Sequence, residues 1–221
     1  MKKVVAVALV AFAGMATVNA QNVSLGPVAS FNHSWITGTS QSDRQFNPGF
    51  KVGATLTYSI NPNWGVGGDL LFANEGAKAE ATVGNTKFTN KTNLNYIRIP
   101  LKGTYFFGSL GDRFRPKLYA GPSFGILAGG KIISETENHA LGTKVRTEAN
   151  SRDSYNGFDF GAIVGTGFNY RIGTATWLNF DLNYTNGFSD ITKSDASFLS
   201  NRNYGIGLGV TFPIGTYTPE K

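Results

Sequence analysis

The sequence predicts an all-β fold, an eight-stranded antiparallel up-and-down transmembrane β-barrel of meander topology with a polar, side-chain-filled lumen. Three observations predict it. Phe50, Val52, Ala54, Leu56, Tyr58 and Ile60 alternate without error with Lys51, Gly53, Thr55, Thr57 and Ser59, the pattern of a strand with one apolar and one polar face. Seven other segments repeat it, joined by connections that are long and short in turn. Their polar faces carry glycine, hydroxyls and charges, which suit the inside of a barrel whose apolar faces meet lipid.

Residues 1–20 read as a cleaved export signal: Lys2 and Lys3, an apolar stretch Val4 to Val18, and the small-residue site Val18-Asn19-Ala20 before Gln21. That stretch is short for a spanning helix, which needs roughly 20 residues. Residues 21–221 then form one barrel domain. Its first strand, about Asn22 to His33, sets Val23, Leu25, Ala29 and Phe31 on one face. Phe50–Ile60 is the second. The third, Trp64 to Glu75, opposes Trp64, Val66, Leu70 and Phe72 to Gly67, Asp69, Ala73 and Glu75. The fourth, Asn93 to Phe107, turns Ile97, Ile99, Leu101, Tyr105 and Phe107 to lipid and Tyr96, Arg98, Lys102 and Thr104 inward. In the fifth, Leu118, Ala120, Phe124 and Ile126 oppose Lys117, Tyr119, Gly121 and Ser123. The sixth sets Phe158, Phe160, Ala162, Val164, Phe168 and Tyr170 against Asp159, Gly161, Gly165, Gly167, Asn169 and Arg171. Leu178, Phe180, Leu182 and Tyr184 face Asn179, Asp181 and Asn183 in the seventh, and Tyr204 to Ile214 alternates with Asn203 to Thr211 in the last. Leu71 and Ile163 fall on the polar face, and Trp177 has the wrong parity if its strand begins that early.

The connections 34–48, 76–92, 129–156 and 188–202 read as four long extracellular loops, and 61–63, 108–115 and 172–176 as short periplasmic turns. An even strand count brings both ends of the barrel to the short-turn side. Asn61-Pro62-Asn63 is a strong breaker. Tyr58, Trp64, Phe107, Tyr170 and Phe212 fall beside the short turns, and Phe31, Phe50, Phe72, Phe158, Tyr184 and Tyr204 beside the long loops. These are two interfacial aromatic belts.

Eight strands enclose a space that side chains can fill. Lys51, Asp69, Arg98, Lys102, Asp159, Arg171 and Asp181 point into it, together with Glu75, so a salt-bridged plug is expected; a narrow ion path is the alternative. Loss of Lys2 and Lys3 lowers the net charge from +6 to +4, and no basic cluster is interleaved with aromatics, so no nucleic-acid partner is expected. Zero cysteines and two separated histidines offer no zinc spacing and no disulfide, and no metal or cofactor is expected.

The segments resemble the PorT-type outer-membrane β-barrel family. The resemblance rests on Tyr96-Ile97-Arg98-Ile99-Pro100-Leu101 with Lys102 and Tyr105, and on Tyr119-Ala120-Gly121-Pro122-Ser123. Phe158-Asp159-Phe160-Gly161, Tyr184 through Gly187-Phe188 to Ile191, and Gly207-Leu208-Gly209-Val210-Thr211-Phe212 extend it over nearly the whole mature chain. It implies a Gram-negative cell envelope, an outer-membrane location and an eight-stranded barrel. It implies almost nothing about activity, although one member type takes part in secretion. Nine residues follow Phe212, whereas many outer-membrane barrels end on an aromatic, so insertion would rely on an internal signal.

The function expected is structural or interactive, with surface loops binding a partner in secretion or envelope integrity and no catalysis. Outer-membrane lipids, the barrel-insertion machinery and another envelope or secretion protein are the expected partners of a monomer. A lipid-modifying enzyme is the alternative, resting on His33 and Ser34 with Asp43 or Asp190 to orient the imidazole. Adjacent strand residues point to opposite faces, which opposes a shared proton. His139, beside Glu135 and Glu137, reads as a solvated tip. Within 129–156, Lys131, Lys144, Arg146 and Arg152 mix with Glu135, Glu137, Glu148 and Asp153, and Lys131–Glu135 and Thr143–Thr147 have some β character.

Overall fold

Alternation in the chain becomes a closed wall. The structure, a computed structural model, describes residues 23–38, 44–109 and 111–214; the stretch expected to be an export signal, Asp43 and the tail beyond 214 lie outside the described residues. Strands run β1 (Val23–Thr37), β2 (Arg44–Gln45), β3 (Pro48–Ser59), β4 (Trp64–Val83), β5 (Thr86–Phe106), β6 (Phe114–Asn138) and β7 (Thr143–Asn150). A short helix α1 (Ser151–Ser154) precedes β8 (Phe158–Arg171), β9 (Trp177–Gly187) and β10 (Ser200–Ile214). Each neighbouring pair is antiparallel, in the order β4-β3-β1-β10-β9-β8-β6-β5, and β5 pairs back onto β4 to close an eight-stranded ring. Among the described residues no helix is long and apolar enough to cross a membrane.

The ring is staggered. Register runs from Phe106 through Lys117, Gly167, Asp181, Gly207, Ser30, Lys51 and Ala73 and returns to β5 at Tyr96, ten residues from where it began. A shear of that size tilts the strands by about 40°. Leu25, Val66, Leu101, Leu118, Val164 and Leu208 are exposed on the outer face, while Leu71 and Ile163 are buried inside. Trp177 also lines the lumen, so its odd parity is an inward ring at the mouth beside the short turns.

Two of the four long loops are not loops. β4 and β5 continue through 76–92 to a two-residue turn at Gly84-Asn85, and β6 and β7 pair from Lys131–Asn150 to Asn138–Thr143 within 129–156. Gly84 has φ +59° at the first central position, where a II′ hairpin takes glycine. The period of two persists there as alanine against lysine and glutamate (Ala77-Lys78-Ala79-Glu80-Ala81). From Ala77 to Ala81 this strand carries none of the large apolar residues that mark a lipid-facing strand. From Trp64 to Phe72, β4 covers about 20 Å of depth, and its run to Val83 adds roughly another 25 Å.

The residues expected to form the two aromatic belts face outward. Phe31, Phe72, Phe158, Tyr204, Trp64, Phe107, Tyr170 and Phe212 are all more than a third exposed, and Tyr58 and Tyr184 are partly so. On the outer rim Tyr204 lies 5.0 Å from both Tyr184 and Trp35. His33 stacks between Trp35 (5.5 Å) and Phe46 (4.8 Å). Trp35 and Phe46 extend that belt beyond the residues read from alternation.

Candidate functional site

The lumen is layered. At its outer end Ile36, Ala73, Leu94, Tyr96, Leu127 and Ile191 form a buried apolar cluster, with Ala77, Tyr155 and Leu199 packed against it. Ile191 and Leu199 come from the β9–β10 connection, which folds over the mouth: Ile191 N–H donates to Leu199 O and Asn156 N–H to Ile191 O, both at 2.8 Å. Asp190 braces this cap, its Oδ1 accepting from Thr192 N and Leu199 N at 3.0 Å.

Beneath the cap lies a four-charge cluster. Arg98 donates through Nε to Glu75 Oε1 at 3.1 Å, and through Nη2 to Glu75 Oε2 and Asp159 Oδ2, both at 2.5 Å. Lys51 Nζ lies 3.5 Å from Glu75 Oε1 and donates to Asn203 Oδ1 at 2.6 Å. Asn201 and Asn203 also donate to Glu75, and Ser189 Oγ donates to Asp159 Oδ1 at 2.8 Å. Two cations and two carboxylates balance, with side chains of Arg98, Glu75 and Asp159 only 4 %, 0 % and 1 % exposed. Balance is what burial of such charges demands. Gly125, opposite Arg98 in the ladder, leaves the space: a Cβ there would stand 2.8 Å from Arg98 Nη1.

Deeper, toward the short turns, the lumen opens into a cavity of about 480 Å³. Two ion pairs stand in its wall. Lys102 Nζ donates to Asp69 Oδ1 at 2.6 Å, and Lys117 Nζ lies 2.9 Å from Asp181 Oδ1 and donates to Oδ2 at 3.1 Å. The Tyr119 ring sits between the two ammonium groups, 5.4 Å from Lys102 and 6.0 Å from Lys117.

The seven lumen charges read from the sequence therefore divide. Lys51, Arg98 and Asp159 share the outer cluster, Asp69 and Lys102 pair with each other, and Asp181 takes Lys117 as its partner. Arg171 joins neither group; it donates to Gly111 O at 2.9 Å and lies over the Trp177 ring. Lys117, Asn201 and Asn203 carry polar-face parity in the sequence, but their roles depend on which strands meet across the lumen. The space is filled in its outer half and hollow in its inner half, which corrects the expectation of a lumen filled by side chains throughout.

Above the ring, β4 to β7 form a four-stranded antiparallel sheet, with β2 paired to β4 at Lys78–Ala79. Register puts Lys78, Glu80, Lys87, Lys91, Glu135, Glu137, Lys144, Arg146 and Glu148 on one face. The other carries Ala77, Ala79, Ala81, Phe88, Ile132 and Val145. Ion pairs lace the charged face: Glu80 with Lys78 (2.8 Å) and Lys87 (3.1 Å), Glu135 with Lys144 (3.1 Å), Glu148 with Lys131 (2.8 Å) and Arg146 (2.5 Å). Hydrogen bonds from these cations hold the Glu80 and Glu148 carboxyls below the usual carboxylate range. Every residue of β7 is exposed, and among the described residues it pairs on one side only. His139 is at the hairpin tip, 3.7 Å from Glu137.

His33 and Ser34 part company. The imidazole is on the outer wall, its Nδ1 accepting from Asn47 N at 3.1 Å, while Ser34 is buried inside, its Oγ accepting from Asn47 Nδ2 at 3.1 Å.

A family model described as outer membrane protein beta-barrel domain matches residues 19–193. No curated protein matches the chain. Among solved structures, it is similar to Neisserial surface protein A, at 14 % identity and TM-score 0.49, over 86 % of this chain and 96 % of that one. OprG of Pseudomonas aeruginosa aligns at 13 % identity and TM-score 0.45, over 87 % and 95 %. Ail, the attachment invasion locus protein of Yersinia pestis, aligns at 11 % and 0.39, over 86 % and 99 %.

Proposed function

Because the chain belongs to the outer membrane protein β-barrel domain family, and so resides in the bacterial outer membrane, we propose that it is a non-catalytic interaction protein. Its surface sheet binds another envelope or secretion protein. One observation carries the reading: β4 to β7 run well past the lipid-facing band and stay paired, so a rigid, charge-laced sheet with an open edge stands above the membrane. Ordered backbone there costs conformational entropy that a barrel needing only to span lipid has no reason to spend. An open strand edge and interspersed charges are what strand-adding and electrostatically matched partners use. Within the family, the PorT-type barrels are the group we favour, on Tyr96–Leu101, Tyr119–Ser123 and the closing Gly207–Phe212 run. His33 and Ser34 face opposite sides of β1, which opposes the shared proton that the lipid-modifying alternative needs.

Shortening in register tests it. Lys78 faces Lys91 and Ile133 faces Glu148, so replacing 79–90 and 134–147 each by Asn-Gly closes both hairpins with two-residue turns. The variant should insert into the outer membrane and remain heat-modifiable on gels. It should also lose the envelope proteins that crosslink to the wild-type chain in intact cells. An unchanged crosslinking pattern in a correctly inserted variant refutes the proposal.

A further inference from the structure

The periplasmic mouth of the cavity holds a feature that neither the barrel wall nor the surface sheet explains. Arg115 on β6 and Arg171 on β8 both line it. Arg115 faces Asn169 directly in the ladder, so Arg115 and Arg171 are diagonal neighbours on one inner wall. Side chains so placed have Cβ atoms about 7 Å apart, near enough for both guanidinium groups to reach one small group.

Among the described residues neither guanidinium is ion-paired, whereas every carboxylate deeper in the lumen is. Arg115 is only 7 % exposed, and its Nε is buried without a hydrogen-bond partner. Its Nη2 donates to Pro62 O in the β3–β4 turn, and its guanidinium lies over the Phe106 ring at 4.9 Å. Arg171 is carried in the same manner, 5.8 Å over Trp177. Asn169, which lines the mouth with them, has a buried Oδ1 without a partner. The nearest carboxylate in sequence, Asp112, is engaged in its own turn, where Oδ2 accepts from Ser109 N at 2.7 Å.

The energetic consequence is direct. Behind the mouth, Lys102–Asp69 and Lys117–Asp181 are neutral pairs and the outer cluster is balanced, so among the described residues the two guanidinium groups at the entrance of this narrow tube are offset only by Asp112, whose charge acts on Arg115 without pairing with it. Low-dielectric walls focus such a field on the entrance. Holding two arginines there, one of them nine-tenths buried, is costly unless an anion comes to them. Guanidinium groups pre-oriented on aromatic rings are suited to two-pronged recognition of planar or tetrahedral oxoanions. A cavity of about 480 Å³ behind them has the volume of an ordinary small-molecule site.

We propose that this mouth is a binding site for a small oxoanion, a carboxylate or a phosphate group, presented from the periplasm. Arg115 and Arg171 clamp the charge. Phe106 and Trp177 hold the clamp in place, and the body of the ligand extends into the cavity toward Lys117 and Tyr119.

The test uses the full barrel refolded in zwitterionic detergent. Inorganic phosphate and, separately, succinate are titrated calorimetrically at ionic strength held constant with sodium chloride. Saturable binding of either probe is expected, and the two titrations tell a phosphate source from a carboxylate source. R115Q and R171Q should each weaken that binding at least tenfold, while K193Q, in the exposed β9–β10 connection at the other end of the barrel, leaves it unchanged. In wild-type protein, which needs no variant to fold, the Trp177 indole N–H resonance should shift saturably with the bound probe and that of Trp35 should not. Failure of both probes to saturate, equal binding by the R115Q/R171Q double variant, or a Trp177 resonance that does not move overturns the proposal.

Discussion

Substituting Arg98 by methionine keeps the length of the side chain and removes the one group that joins Glu75 to Asp159. Arg98 donates three hydrogen bonds to the two carboxylates, at 3.1, 2.5 and 2.5 Å. Without it, Lys51 is the only cation among the described residues left against two carboxylates that are 0 % and 1 % exposed. Breaking a buried ion pair by removing one partner costs about 3–5 kcal/mol, because the remaining charge stays desolvated. Asn201, Asn203 and Ser189 still donate to those carboxylates, which puts the expected loss near the lower bound, about 3 kcal/mol. Urea unfolding in phospholipid vesicles, followed by tryptophan fluorescence, measures it. The double variant R98M/E75Q removes both the arginine and the charge it leaves uncompensated, so it should lose less than the two single variants summed, with a coupling of about 1–3 kcal/mol. Strictly additive losses, or an R98M variant within about 0.5 kcal/mol of wild type, would refute the view that this cluster works as a unit.

Gly165 faces Tyr119 in the ladder, and a Cβ there would stand 2.3 Å from Tyr119 Cζ and 2.7 Å from Leu182 O. Gly165→Ala should therefore destabilise the barrel by about 1–3 kcal/mol in the same urea assay, and adding Tyr119→Leu should recover part of the loss. On the surface sheet, Glu80 and Glu148 titrate below the usual carboxylate range because lysine and arginine bond their charged forms. Their contribution is present above the unfolded carboxylate pKa and is lost as pH falls through the depressed folded values. Amide protection in β7, measured against the intrinsic exchange rate at each pH, should fall selectively on acidification relative to β9; an equal fall in both would count against it.

Where lipid acts on the chain, the sequence is legible. Lipid demands a large apolar residue at every second position, and the alternation from Phe50 to Ile60 or Tyr204 to Ile214 records that demand directly. Ala77 to Val83 alternates as regularly, but with alanine opposite lysine and glutamate, and reads as loop because no hydrocarbon selects bulk there. Inward parity is equally readable, down to Trp177. Which inward groups meet is not, because partners at one depth are set by the ten-residue stagger of the ring. Lys51 reaches Asn203 past the intervening β1, and Glu75 gathers donors from β5 and β10. The hollow inner half is also invisible in the sequence, since its polar residues look like those that fill the outer half.

The stagger and closure of the ring bear on how the chain enters a membrane. β1 and β10, nearly 200 residues apart, meet along almost their whole length from Val23–Ile214 to Thr37–Ser200. Until that seam forms, the facing edges of β1 and β10 present unpaired amides and carbonyls to hydrocarbon, each costing several kcal/mol. A partly assembled wall is therefore not a resting state in lipid. The topology therefore favours a nearly all-or-none insertion, in which β1 and β10 come together before the wall is exposed to hydrocarbon.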